Sequence, residues 1–141
     1  MMLQGFSSKR EFIATQGPLP STEDDFWRMV WEYNCRAIVM VTKCTEAGRL
    51  KCSHYWPTDM EPVFYGDLQV TVINEDSTCA NWTVREIQIT MVSQPASVLS
   101  LRLLRFLDLF VFSIKTLFYV SSRWFFSEHL NAKNHYTLDG N

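Results

Sequence analysis

An α/β (α+β) fold, a twisted mixed sheet covered by one strong helix, is predicted for residues 3–90 by three observations. The stretch Asp25-Phe26-Trp27-Arg28-Met29-Val30-Trp31-Glu32 sets two tryptophans four apart beside Phe26 and Met29, a heavy apolar face at helical spacing. Residues 37–42 form a nearly unbroken apolar run of strand length, as expected of a strand buried on both faces. Residues 68–73 and 82–90 alternate polar with β-branched or aromatic side chains, the period of a half-buried strand.

Residues 1–10 are short and polar. Residues 11–15 read as a strand that stops at Gly17-Pro18-Leu19-Pro20, where two prolines remove backbone donors and fix a turn. A strand so soon after Met1 leads to the expectation of a missing beginning. Ser21 and Thr22 are good helix caps, with Asp24 and Asp25 three residues on and Glu23 adding negative charge where the helix dipole favours it. The helix is expected over residues 22–34, and only Arg28, Glu32 and the cap residues leave it polar. Such a helix needs a large cover, most simply the sheet; a protein partner docked on the Trp27/Trp31 face is the other way to cover it.

Residues 37–42 are expected at the centre of the sheet. A turn at 46–49, a short strand at 51–55 and a loop at 57–62 follow, then the alternating strand 68–73, a turn at 74–80 and the strand 82–90.

Beyond residue 90 the composition changes, and residues 91–141 read as an unrelated Leu/Phe-rich tail. Its apolar part, 97–126, is interrupted by Arg102, Arg105, Asp108, Lys115 and Arg123, and is expected to be helical. Residues 106–122 are the best membrane-span candidate, yet hold Asp108 and Lys115 where a span needs about 18 largely uncharged residues. Each such charge costs roughly 2.5 to 3.5 kcal/mol near the bilayer centre, so insertion is not the favoured reading. A membrane anchor through residues 98–126, an amphipathic helix bound to a protein partner, and an unevolved tail remain open as alternatives.

Of the 141 residues 47% are hydrophobic and 20% charged, which is globular, and a net charge of -2 gives no argument for nucleic acid or an anionic membrane surface as partner. Cys35, Cys44, Cys52 and Cys79 are too far apart for a C-x-x-C metal pair, and no signal peptide follows Met1. These features fit a reducing, cytoplasmic setting with free, mostly buried thiols, in which the sequon Asn81-Trp82-Thr83 has no role. The cytoplasmic side of a membrane fits as well.

Four motifs in order, Phe12-Ile13-Ala14-Thr15-Gln16-Gly17-Pro18, the Trp-rich helix, Ala37-Ile38-Val39-Met40-Val41-Thr42 and Lys51-Cys52-Ser53-His54-Tyr55-Trp56-Pro57, resemble the front half of a protein tyrosine phosphatase catalytic domain, closest to the receptor-type branch. The resemblance spans residues 3–90. It implies hydrolysis of phosphotyrosine in proteins, in signalling, with neither metal nor cofactor. It also implies two parts: a thiolate in a loop His-Cys-x-x-Gly-x-x-Arg-Ser/Thr, whose N–H groups and Arg cradle phosphate, and a general acid on a Trp-Pro-Asp loop. Neither pattern occurs in these 141 residues, since His54, His129 and His135 precede Tyr, Leu and Tyr. The expectation is therefore a truncated, catalytically inactive isoform without catalytic residues of its own. Phosphotyrosine proteins would be partners only with the other half present.

By the same resemblance Glu46 and Lys51 match supporting residues of a loop Glu-Lys-Gly-x-x-Lys-Cys, where the Glu pairs with the phosphate-loop Arg and the Lys approaches the acid. Ala47 stands where that loop has its middle Lys. Two sequences imitate the missing parts. Cys79-Ala80-Asn81-Trp82-Thr83-Val84-Arg85 fits Cys-x5-Arg but lacks a glycine and reads as a turn entering a strand. Trp56-Pro57-Thr58-Asp59 is one residue too long for the acid loop. Without its remaining strands, such a half-domain is expected to expose sheet edges and aggregate or lean on a partner.

Overall fold

The computed structural model describes residues 2–3, 12–106 and 117–121, the first and last of these through their backbone alone. In chain order it has β1 (Met2–Leu3), β2 (Phe12–Thr15), α1 (Glu23–Glu32), β3 (Cys35–Met40), β4 (Thr45–Glu46), β5 (Arg49–Leu50), β6 (Val63–Tyr65), β7 (Leu68–Asp76), β8 (Trp82–Met91), β9 (Gln94–Phe106) and β10 (Leu117–Ser121). Eight strands make one mixed sheet in the order β1-β2-β10-β3-β9-β8-β7-β6, while β4 and β5 form a separate hairpin. The β3–β9 pair is parallel, and β6 to β9 form an antiparallel meander.

Local chemistry explains the tight turns. Gly66 (φ 58°) lets Tyr65 pair directly with Leu68, and Ala47 (φ 48°) with Gly48 (φ 73°) supplies the two left-handed residues that a right-twisted two-residue hairpin requires. The expected turn at 46–49 is thus formed. Residues 51–55, expected as a strand, run without regular structure: the Ser53 N–H donates to Pro18 O at 2.7 Å, and the Lys51 and Cys52 N–H groups both donate to Cys44 O. Those bonds pull the segment inwards instead of along a ladder, and Cys52, Tyr55 and Trp56 are buried by it.

Helix α1 covers the middle of the sheet. Phe26, Trp27 and Val30 face a core of Ile38, Met40, Val70, Ile87, Ile89, Leu101 and Leu103. Trp27 is 0% exposed, and its indole N–H donates to Tyr55 O at 2.8 Å. A docking face built on Trp27 and Trp31 is thereby corrected: the chain's own sheet takes Trp27 in, and Trp31 is half-buried against the same core. The helix is shorter than the expected 22–34. A 3-10 turn, Pro20–Thr22, precedes it, and the Thr22 hydroxyl accepts the Leu19 N–H at 2.9 Å rather than capping the helix. At the other end Asn34 turns to φ 49° and closes it.

The helical reading of the chain after residue 97 is corrected for residues 98–106, which belong to β9. Leu99, Leu101 and Leu103 are buried between exposed Ser100 and Arg102, a period of two that lets β9 pair with β8 on one side and β3 on the other. The backbone of residues 117–121 is also strand, paired antiparallel with β2 and β3. Most of the membrane-span candidate 106–122 lies outside the described residues. Among the described residues no helix is long and apolar enough to cross a membrane.

Candidate functional site

The β4–β5 hairpin carries the two supporting residues that sequence singled out. It brings Lys51 Nζ to 3.7 Å from Glu46 Oε2, with the two side chains 27% and 55% exposed. At that distance and exposure the pair is a loose one, worth at most about 1 kcal/mol, so both groups stay available to other partners.

Beneath the hairpin lies a layer that sequence reading took only as core. Cys44 and Cys52 bracket the hairpin, and their sulfurs converge on one acceptor, Ser53 O, at 3.8 and 3.2 Å. The Ser53 hydroxyl in turn donates to the Glu23 carboxylate on α1. Donation from Cys52, opposed by burial and assisted by Arg105, draws the Cys44 thiol down to about 7. The same contact, followed by burial, drives Cys52 far up, so that it keeps its proton. Cys35, the first residue of β3, is pushed up to about 11 by burial alone.

Trp56, 2% exposed, sits next to this layer between charged groups. The Arg85 and Arg105 guanidiniums lie 5.4 and 5.5 Å from its ring centroid, and the His54 ring is 3.8 Å away. Burial and the two arginines hold His54 below the ordinary imidazole range. Arg85 is fixed by Glu75 at 2.8 Å, yet its Nη1, the Arg105 Nε and the Tyr55 hydroxyl are buried without a hydrogen-bond partner among the described residues.

The imitating sequences do not assemble anything comparable. Cys79 is exposed in the turn between β7 and β8, whereas Arg85 lies well along β8 and faces Glu75 and Trp56. Asp59 sits in an exposed loop, where its carboxylate accepts the Glu61 N–H at 3.1 Å. No group of three or more His, Cys, Asp or Glu side chains that could hold a metal is found among the described residues.

What the sequence reading missed is the convergence of Cys44, Cys52, Arg105 and Trp56. A signal existed: a two-residue turn at Ala47-Gly48 pairs Glu46 with Arg49 and Thr45 with Leu50, which brings Cys44 alongside Lys51 and Cys52. Arg105 carries no such signal, because the leucine-rich composition around it favours helix over the strand that places it here.

Comparison with known proteins identifies the family. A family model described as protein-tyrosine phosphatase matches residues 1–108. The chain is 52% identical over 92 residues to receptor-type tyrosine-protein phosphatase H of Homo sapiens, covering 65% of this chain and 8% of that protein. It is 47% identical over 95 residues to receptor-type tyrosine-protein phosphatase eta of Homo sapiens, covering 67% of this chain and 7% of the relative. It is 49% identical over 88 residues to phosphatidylinositol phosphatase PTPRQ of Homo sapiens, covering 62% and 4%. The chain thus spans less than a tenth of the length of these curated relatives. With the four sequence motifs gathered around one helix-covered mixed sheet, the chain belongs to the protein-tyrosine phosphatase family, as part of a receptor-type catalytic domain.

Proposed function

We propose that these 141 residues supply the scaffold and the Glu46/Lys51 hairpin of a domain that hydrolyses phosphotyrosine in proteins, and that they do not carry out the reaction by themselves. One observation carries the reading: Glu46 and Lys51 stand paired on a formed hairpin, while the sequence holds no His-Cys-x-x-Gly-x-x-Arg loop and no Trp-Pro-Asp loop. In a phosphatase site the thiolate attacks phosphorus and an acid protonates the leaving oxygen. Glu46 would then orient the arginine of the phosphate loop and Lys51 the acid loop, each exchanging its present partner for the stronger charge. Apart from those loops the chain is a truncated, inactive member of the family, its match to the family running on through β9 to residue 108. Free thiols at all four cysteines support a cytoplasmic setting, and signalling through phosphotyrosine proteins is the role of any chain that joins this scaffold to those loops.

The two readings of chain length separate by the intact mass of the endogenous protein captured through residues 21–33. A larger species that also yields a His-Cys-x5-Arg peptide places Glu46 and Lys51 in a working site. A species of 16.5 kDa ending at Asn141 makes the short chain real and moves its role to binding or regulation.

A further inference from the structure

The layer under the hairpin has the parts of a reversible dithiol. The backbones of Cys44 and Cys52 are one hydrogen bond apart, Cys52 N to Cys44 O at 3.2 Å, which sets the two residues side by side as a disulfide requires. Both sulfurs point at the same oxygen, Ser53 O, and therefore at each other's neighbourhood. Their accessibilities differ: Cys44 is half-buried, while Cys52 is 0% exposed and closed off behind by Gly17, where even a Cβ would lie 2.4 Å from the Cys52 sulfur. Cys44 is thus the more accessible of the two, and its sulfur is the one that meets Cys52.

We propose that Cys44 is a peroxide-reactive thiol and Cys52 its resolving partner, the two closing a disulfide across the base of the Glu46/Lys51 hairpin. This inference stands independently of whether the chain hydrolyses phosphotyrosine. The Cys44 sulfur attacks one oxygen of hydrogen peroxide; an S–O bond forms, the O–O bond breaks, and the departing hydroxide leaves as water once protonated. The Cys52 sulfur then attacks the Cys44 sulfenic acid, the S–S bond forms, the S–O bond breaks, and the Cys52 proton leaves with the hydroxyl as a second water. Two thiols are oxidised and one peroxide is reduced to two waters.

The electrostatics favour this order. Cys52 has one proton, which can serve Ser53 O or the Cys44 sulfur; turned to Cys44 it stabilises a thiolate there, with Arg105 adding positive charge. About half of Cys44 is ionised at pH 7, against roughly one per cent for a thiol at the ordinary value of 9.0. Lower basicity gives back part of that gain, which leaves an expected rate advantage of about fivefold. The consequence is local: the bond would tie residue 44 to residue 52 and fix the hairpin that presents Glu46 and Lys51.

The test uses the full 141-residue chain with Cys79→Ser, treated with hydrogen peroxide at pH 7, blocked with N-ethylmaleimide and digested with trypsin, which cuts between the two thiols. The expected result is a linked pair of peptides, 44–49 with 52–85, and a rate about fivefold above that of an unstructured thiol peptide. Cys52→Ser in the same background should stop at a Cys44 sulfenic acid that dimedone traps, and Cys44→Ser should leave Cys52 unreacted. Linkage of Cys44 to Cys35, linkage only between chains, or a Cys44 rate equal to that of the free peptide overturns the proposal. The mapping of the linkage needs no variant at the two thiols, so a misfolded Cys44 or Cys52 variant does not shield it.

Discussion

The aromatic layer under α1 and the β4–β5 hairpin are neighbours built on opposite physical terms. Phe26, Trp27, Tyr55 and Tyr65 pack ring to ring at 4.7 to 6.0 Å, buried, and anchored by the Trp27 N–H to Tyr55 O bond. The hairpin is exposed from Thr45 to Leu50, and its one ion pair spans 3.7 Å. The first region takes its stability from apolar area removed from water; the second contributes little stability and keeps its charges free. In the proposed function the first region is the scaffold and the second the loop that exchanges partners, and the contrast can be measured.

The largest effect is expected at Trp27. Trp27→Ala should destabilise the fold by about 3 to 5 kcal/mol in urea unfolding, because it empties a wholly buried site and orphans Tyr55 O. A cost under about 1 kcal/mol would mean that the layer is not the core of the fold. Lys51→Ala is expected to change stability by about 1 kcal/mol or less, since the pair it removes is loose and partly solvated. A cost of several kcal/mol there would erase the contrast between the two regions.

The smallest effect concerns pH. His54 is held below its ordinary value of 6.5, first by desolvation and then by Arg85 and Arg105, so the folded chain prefers the neutral ring. Its contribution is full above about pH 6.5 and is lost as the pH falls through the lowered folded value, where the unfolded chain takes up the proton first. Unfolding midpoints should therefore fall from pH 7 to pH 5, and His54→Gln should flatten that slope. An unchanged slope would place the acid sensitivity elsewhere.

Much of this fold was legible because patterning and environment agree. The spacing of Phe26, Trp27 and Val30 gives the buried side of α1, and the apolar run of β3 matches a strand with neighbours on both sides. The alternation in β7 and β8 is the alternation of their burial. Where reading failed, tertiary contacts outweighed local preference. Leucine favours helix, and Leu101, Leu103 and Leu104 so close together hide the period of two that begins at Val98; β8 and β3 on either side decide for strand. Thr22 was a good cap by residue type, but the 3-10 turn before it claims its hydroxyl.

The site divides in the same way. The family pattern singles out Glu46 and Lys51, and a tight turn brings their side chains to 3.7 Å from each other, which is as far as the structure carries them. Cys44, Cys52 and Arg105 were not legible, since their meeting depends on hairpin register, on an irregular segment and on a strand more than fifty residues away.

The most direct measurement is hydrolysis of a phosphotyrosine peptide by the purified 141-residue chain beside its Cys79→Ser variant. No turnover above the uncatalysed rate is expected in either, because an exposed Cys79 and an Arg85 bound to Glu75 form no phosphate cradle. Turnover by the unaltered chain that disappears in Cys79→Ser would contradict it, and would mean that the scaffold holds a catalytic thiol of its own.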